Sequence, residues 1–245
     1  SSLIVALTKE VTQGQVKTFT VGIDAKQYDE AEHARGVASY LGTEHHELYV
    51  TADDAQSIIP ELSSIYDEPF ADSSQIPTVL ISRLARQEVT VALSGDGGDE
   101  VFGGYNRYIW GKRLFKGIGM MPLLVRQQLA RAITSVSPDH WTSLHKLIPY
   151  RGNSRKEISL FGDKLYKVAH LLQSKDGPDM YKRLISICQN PNELVLDSKE
   201  VNAYLDCGLL PQTSDELAQY MMLLDQRTYL PGDILAKVDR ASMSV

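Results

Sequence analysis

The chain has 245 residues, of which 43% are hydrophobic and 23% charged, and its formal net charge at pH 7 is −6. This length and apolar fraction suffice for a full hydrophobic core in one large domain. An acidic chain without a basic stripe is not expected to bind nucleic acid. No apolar run is long enough to span a membrane and no signal-like segment opens the chain, so we expect a cytoplasmic protein without a membrane partner.

The first part of the chain alternates between helical and strand patterns. We expect Asp29 to cap the second helix and Gly42 to end it, and Thr51 or Asp53 to cap the third. Apolar spacing predicts, in chain order, a helix at 1–13, a strand at 15–23, a helix at 29–41, a strand at 43–50, a helix ending at 66 and a helix from 73 or 74 to 86.

Two adjacent histidines, His45 and His46, lie in the second predicted strand. Such a pair invites a metal-binding or acid–base role. Neighbouring residues in a strand point to opposite faces, so the two rings are not expected to serve one site. We therefore expect both to be structural histidines with polar partners.

Residues 89–93, Val-Thr-Val-Ala-Leu, form a pattern typical of a buried parallel strand with two apolar faces. The glycines of the following loop, Ser94 to Glu100, let the backbone turn sharply and present its N–H groups to an anion. Asp96, Asp99 and Glu100 in the same loop would repel a bare phosphate unless Mg²⁺ lay between them, which favours a nucleotide site. A solvated turn and a calcium loop are the alternatives, although the acidic spacing of calcium loops is not matched.

Beyond Tyr105 the sequence predicts helices and no convincing strand. We expect an α/β part over residues 1–110 and a helical part over residues 111–245. Cys188 and Cys207 lack C-x-x-C spacing, so we expect buried thiols in a reducing compartment. Helical spacing occurs at residues 123–136, 180–188, 199–207 and 215–228.

Residues 94–105, S-G-D-G-G-D-E-V-F-G-G-Y, resemble the signature of the synthetase domain of glutamine-dependent asparagine synthetases, in the PP-loop ATP-pyrophosphatase superfamily. The chain is similar to that family over its first hundred residues and its last dozen, and only loosely between. The other matching segments, in the family's order, are T-F-T-V-G-I at 18–23, L-G-T-E-H-H-E at 41–47, D-E-P-F-A-D-S-S at 67–74 and D-I-L-A-K-V-D-R-A-S-M at 233–243.

The resemblance also implies which segments flank these residues in the family and which fold they adopt. In the family a strand and an S-G-G-x-D pyrophosphate loop precede the position of Ser1, a glutaminase domain precedes these, and helical sequence with an essential lysine follows the position of Val245. We therefore expect a piece of a longer enzyme, inactive alone. With the missing first strand, the alternation implies a doubly wound parallel sheet of the adenine nucleotide alpha hydrolase-like type, followed by a mainly helical region.

The function implied by the resemblance is ATP-dependent amide formation. ATP and Mg²⁺ would activate a carboxylate, aspartate being favoured, as an acyl-adenylate for attack by ammonia from the glutaminase domain. A homodimer is compatible with the resemblance. The alternatives are a paralogous amidotransferase acting on another carboxylate and a non-catalytic nucleotide-binding fragment.

The resemblance implies a role for each candidate site residue. Asp96 and Glu100 are expected to be catalytic, and Asp99 to bind the metal. Asp96 stands where many asparagine-forming members have Glu, and its shorter side chain leaves room for a different substrate. The residues expected to bind the nucleotide are Ser1, Ser2, Val21, Ser94 and Gly95.

Overall fold

The computed structural model describes residues 1–23, 30–146, 161–186, 188 and 208–245. These residues form two compact units, one comprising Ser1–Phe102 with Asp225–Val245 and the other Gly103–Leu224. Residues 225–245 belong to the same unit as residues 1–102, and the predicted division at residue 110 stays a prediction. No helix in the described ranges is long and apolar enough to cross a membrane.

The first unit contains a small parallel sheet. Strand β1 (Lys17–Ile23) pairs with strand β2 (Glu44–Val50), with Val21 opposite Leu48. Among the residues that the structure describes, five α-helices come before residue 103, and a π-helix and a further α-helix follow near the carboxyl end. They are α1 (Ser2–Val11), α2 (Ala31–Leu41), α3 (Ala52–Tyr66), α4 (Gln75–Glu88), α5 (Gly98–Phe102), the π-helix Leu230–Leu235 and α12 (Ala236–Met243).

The ends of α2 and α3 are determined by local chemistry. Gly42 ends α2 in the left-handed conformation, with φ of 64°. Thr51 begins α3 through a capping box, because its hydroxyl accepts from the N–H of Asp54 and its own N–H donates to the Asp54 carboxylate. These two predictions are confirmed. Glu30, without a side-chain capping bond, takes the N-cap position of α2 that was predicted for Asp29, and Asp29 lies outside the described residues.

The strand predicted at residues 89–93 does not form. The only sheet within the described ranges is the β1–β2 pair, and Val91 and Leu93 are 79% and 73% exposed. A strand requires a hydrogen-bonded neighbour, and a two-sided apolar strand also requires cover on both faces, so composition alone does not create it. The observed fold is therefore mixed α/β, mostly helical with a small parallel sheet, and the doubly wound sheet remains a prediction.

The core of the first unit lies where α3, α4 and α12 meet. Ile58, Tyr66, Val79 and Ala241 form a buried cluster there. Tyr66 is fully buried and its ring stacks on Phe70 with centroids 5.0 Å apart. Each such large apolar side chain contributes roughly 1.5–3 kcal/mol when buried. The cluster therefore fixes α12 against α3 and α4.

The second unit is helical where described. Its helices are α6 (Asn106–Gly119), α7 (Leu123–Thr134), α8 (Pro138–Lys146), α9 (Phe161–Leu172), α10 (Gly177–Ile185) and α11 (Ser214–Arg227), the last of which extends past the unit's end at Leu224. The buried guanidinium of Arg126 in α7 donates to the carbonyl oxygens of Met121, Leu172 and Ser174, so it satisfies acceptors at the end of α9.

The helices predicted at 123–136, 180–188 and 215–228 correspond to α7, α10 and α11. The helix predicted at 199–207 lies outside the described residues, as does Cys207. Cys188 is exposed, so the prediction of a buried thiol is wrong for this cysteine. Its position just beyond α10 explains the difference, because the residue has left the helical spacing from which burial was inferred.

Candidate active site

The loop of residues 94–100 forms a compact turn that leads into α5. Gly97 adopts φ of 84°, a conformation that glycine takes without strain. The N–H of Gly98 donates to the carbonyl oxygen of Gly95 at 3.1 Å. The hydroxyl of Ser94 donates to Asp96 Oδ2 at 2.6 Å. The glycines thus give the sharp turn that the sequence predicts.

The amino end of α1 lies directly on this loop. A Cβ built on Gly95 would be 2.6 Å from the Ser1 nitrogen and 2.9 Å from its hydroxyl oxygen, closer than real Cβ atoms approach other atoms. Only glycine therefore fits at position 95 without a shift of the backbone. Ser1 occupies the N-cap position of α1, and both Ser1 and Ser2 are exposed. The first N–H groups of a helix favour an anionic group, so two predicted nucleotide-binding segments meet here.

The loop's three carboxylates have different surroundings. Asp96 and Asp99 are exposed, whereas Glu100 is 1% exposed. The backbone carbonyl of Glu100 accepts a hydrogen bond from Gln226 Nε2 at 3.0 Å, which ties α5 to the end of α11. Asp96 and Asp99 can thus meet a ligand from solvent, while the side chain of Glu100 faces the protein interior.

A single exposed carboxylate is compatible with magnesium. Within the described ranges, no three or more His, Cys, Asp or Glu side chains are grouped so that they could hold a metal ion among themselves. Mg²⁺ bound with a nucleotide commonly takes one or two carboxylates and completes its coordination with phosphate oxygens and water. Asp99 therefore fits the metal role predicted for it, and that role remains a prediction.

Comparison with known proteins identifies the family. Residues 1–245, the whole chain, match the family described as asparagine synthase. The chain belongs to this family. The family predicted from the sequence is confirmed.

Three relatives illustrate the match to the asparagine synthase family. The glutamine-hydrolyzing asparagine synthetase 1 of Bacillus subtilis is 28% identical over 249 residues, which cover 100% of this chain and 35% of that protein. A Mycobacterium bovis protein provisionally named a glutamine-hydrolyzing asparagine synthetase is 40% identical over 230 residues, 93% of this chain and 32% of that protein. A Methanocaldococcus jannaschii protein, provisionally named glutamine-hydrolyzing asparagine synthetase 2, is 45% identical over 115 residues, 46% of this chain and 22% of that protein. The chain spans about a third or less of the length of these relatives.

An ionic cluster that sequence reasoning missed joins two of the asparagine synthase segments. Lys237 of α12, only 6% exposed, donates to Asp72 Oδ2 and to the Ser74 hydroxyl, the latter at 2.6 Å. Asp72 also accepts from the N–H and the hydroxyl of Ser74, each at 2.8 Å. Asp233, one helical turn before Lys237, places Oδ1 3.8 Å from Nζ. The sequence signal was present, because an Asp–Lys pair at i and i+4 lies inside D-I-L-A-K.

The pKa values of the two carboxylates in this cluster are shifted in opposite directions. Burial pushes the pKa of Asp72 upward, but the hydrogen bonds from Lys237 and Ser74 outweigh it and hold that pKa at about 2. Burial and the nearby Asp72 carboxylate raise the pKa of Asp233 above its ordinary value. Asp233 Oδ1 is shielded from solvent and accepts no hydrogen bond from the described residues. The cluster thus contains one firmly ionised carboxylate, one lysine and a second acid that holds its proton more strongly.

The remaining predicted residues have ordinary structural surroundings. Val21 is half-buried in β1, and its nucleotide-binding role remains a prediction. His45 Nδ1 lies 2.8 Å from the Thr18 hydroxyl, whereas His46 stacks on Phe19 with ring centroids 5.2 Å apart. The two histidines have separate partners on opposite faces of β2, as predicted.

An open cleft of about 810 Å³ lies between α3 and α12 and does not include the loop. Arg240 on its wall donates to the Tyr66 carbonyl oxygen at 2.5 Å and lies 3.7 Å from Asp67 Oδ2. This cation is therefore already engaged with α3 and the turn after it. The cleft's lining residues are Pro60, Glu61, Ser64, Ile65, Asp67, Asp239, Arg240, Met243 and Ser244.

Proposed function

We propose that this chain carries the ATP-dependent, amide-forming reaction of an asparagine synthase. The observation that supports this most is the close approach of Ser1 to Gly95, in a chain that matches the family along its whole length. It brings the first N–H groups of α1 beside a glycine turn, and both features favour the phosphates of a nucleotide.

The proposed reaction has two steps. In the first, a carboxylate oxygen of the substrate attacks the α-phosphorus of ATP, the bond to the β-phosphate oxygen breaks, and pyrophosphate leaves. In the second, the nitrogen of ammonia attacks the acyl carbon of the adenylate, AMP leaves, and the nitrogen loses a proton to give the amide. The carboxylate is thereby activated at the cost of one ATP, which makes this a carbon–nitrogen ligase.

Different residues of the chain would have different roles in this reaction. Ser1, Ser2, Ser94 and Gly95 would hold the phosphates through backbone N–H groups and hydroxyls, and Val21 would meet the adenine. Asp99 would hold Mg²⁺, which offsets negative charge on the departing pyrophosphate. Asp96, exposed and held by Ser94, would face the acyl carbon during the attack of ammonia. Glu100 was predicted to be catalytic, and its burial favours a role in fixing α5 beneath the other carboxylates.

The substrate and the nitrogen source are proposed from the relatives' names. Those proteins are named asparagine synthetases that hydrolyse glutamine, which favours aspartate as the carboxylate here and ammonia from a glutaminase domain. Because this chain spans only 35% or less of those relatives, the proposal concerns the intact protein that carries it.

The test is ATP–pyrophosphate exchange with the intact protein, measured with aspartate and with a panel of other carboxylates. We expect Mg²⁺-dependent exchange that requires one carboxylate, followed by amide formation when ammonium is added. Exchange with another carboxylate and not with aspartate would contradict the substrate assignment alone. Absence of exchange with every carboxylate, in a protein that is folded by circular dichroism, would contradict the proposed reaction.

A further inference from the structure

The π-helix Leu230–Leu235 runs between the candidate active-site loop and the ionic cluster. π-Helical turns are rare and occur frequently at functional sites, because the extra residue per turn redirects the side chains that follow. In this segment Asp233 belongs to the π-helix, and Lys237 lies in the first turn of α12. The π-helix is thus placed to connect the two features mechanically.

The amino end of this segment contacts the loop. The side chain of Leu230 lies beside Gly97, because a Cβ built on Gly97 would be 3.6 Å from it, an ordinary van der Waals distance. Four residues earlier, Gln226 donates to the Glu100 carbonyl oxygen at 3.0 Å. The hydrogen bond is made to the backbone of α5, and the Leu230 side chain occupies the space next to the missing side chain of Gly97. The position of the loop backbone therefore depends on where residues 226–230 lie.

The carboxyl end of the segment is held by the cluster. Lys237 is bonded to Asp72 and Ser74, and its own backbone carbonyl accepts from the Tyr66 hydroxyl at 3.4 Å. Removing one partner of a buried ion pair leaves an uncompensated buried charge, whereas replacing both partners with neutral groups is often tolerated. Lys237 is therefore a point at which the segment is fixed to α3, α4 and the turn between them.

We infer that Lys237 is a positioning residue for the reaction proposed above. It touches no predicted site residue and would act through the π-helix, Leu230 and Gln226 on the backbone of Gly97 and Glu100. The inference rests on the proposed function for its catalytic consequence, whereas its structural consequence, a loop whose order depends on Lys237, does not.

The experiment compares three variants of the intact protein. Lys237→Met keeps the aliphatic stem and removes the charge, and the double variant Asp72→Asn/Lys237→Met removes both charges so that folding is retained. Arg83→Met is the matched control, because it removes an exposed ion pair with Glu61 that also joins α3 to α4. The measurements are thermal stability, amide hydrogen exchange of residues 97–102 without ligand, and the KM for ATP in pyrophosphate exchange.

We expect Lys237→Met to lose both stability and loop protection. The double variant should recover stability while loop protection stays low and the KM for ATP stays about tenfold above that of the wild type, the size typical of coupling through a packed network. Arg83→Met should resemble the wild type. Recovery of loop protection and KM together with stability in the double variant would overturn the inference, since Lys237 would then serve stability alone. If the wild type shows no pyrophosphate exchange, the proposed function fails, and loop protection still decides the inference.

Discussion

Ser1 and Gly95 are far apart in the sequence of the first unit but are in direct contact in the structure. The nitrogen of Ser1 lies 2.6 Å from the position that a Cβ on residue 95 would take. The contact leaves no room for a side chain between the start of α1 and the loop. It also brings backbone groups from two distant segments to one place, where an anionic ligand could meet both.

The first prediction tests this contact. Gly95→Ala should lower ATP affinity by at least about tenfold, because the added methyl group must push the loop or Ser1 out of place by more than a few tenths of an ångström. The control is Gly36→Ala in α2, where an added Cβ meets no atom within 4 Å. Nucleotide affinity measured by calorimetry on both variants checks the prediction. Equal affinities in the two variants would show that the contact is irrelevant to binding.

The second prediction concerns Asp99. If its carboxylate holds Mg²⁺, Asp99→Asn should reduce ATP–pyrophosphate exchange by orders of magnitude, because metal stabilisation of developing charge contributes several kcal/mol. The loss should be smaller at high Mg²⁺ concentration, since a weakened site fills by mass action. Asp53→Asn, an exposed position in the first turn of α3, serves as the control. A variant with unchanged exchange and unchanged magnesium dependence would reassign Asp99 to the turn.

The third prediction separates binding from chemistry at Asp96. Asp96→Asn keeps an oxygen that can accept from the Ser94 hydroxyl but removes the negative charge, so the turn should persist. We expect ATP affinity close to that of the wild type and loss of amide formation. The longer side chain of Asp96→Glu should retain amide formation and change the preference among carboxylates. Full amide formation by Asp96→Asn would leave Asp96 with a structural role.

The fourth prediction is a pH dependence of stability. The pKa of Asp72 is held at about 2 in the folded protein, below the ordinary value of an unfolded aspartate. The ionised form therefore stabilises the fold above about pH 4, and this contribution, on the order of 2 kcal/mol, is lost as the pH falls from about 4 towards 2. Asp72→Asn should be less stable at pH 7 and show a shallower loss of stability in acid. Urea unfolding from pH 2 to pH 7 measures both slopes.

The fifth prediction is that Asp233 affects the pH dependence of stability in the opposite direction from Asp72. Its folded pKa is raised, so the folded state prefers the protonated acid, and stability decreases as the pH rises through that folded pKa. Asp233→Asn should remove this penalty and be at least as stable as the wild type at pH 7. If Asp72→Asn and Asp233→Asn have the same pH profile, the two acids are not differentiated as the cluster geometry indicates.

Local signals in the sequence were sufficient for elements whose causes are local. Gly42 stops α2 and Thr51 caps α3 because each acts on its own backbone neighbours. The segment 89–93 shows the limit of such signals, since β-branched composition indicates only a tendency that requires a paired neighbour. The pairing of Lys237 with Asp72 was not predictable in this way. Its members lie 165 positions apart, and each looks like an ordinary surface charge in its own segment.

Only part of the candidate site could be predicted, because local sequence signals do not report long-range packing. The glycine turn and the start of α1 were identified from local chemistry, and the family resemblance placed Ser1, Ser2, Ser94 and Gly95 at one ligand. The sequence could not distinguish Glu100 from its neighbour Asp99, because the two acids are adjacent and chemically alike. Only the packing of α5 shows that one side chain is buried and the other is exposed.

The exposed segment that follows α4 has a practical consequence for handling the chain. Residues 90–93, Thr-Val-Ala-Leu, are exposed, carry no charge and have no proline, and they follow directly on Val89. A stretch with these properties resembles the short segments from which intermolecular β-structure grows. In the isolated chain it should promote precipitation at high concentration. A charge at one exposed position, as in Val91→Lys, should raise solubility at little cost in stability, because Val91 is 79% exposed and contributes little to the core.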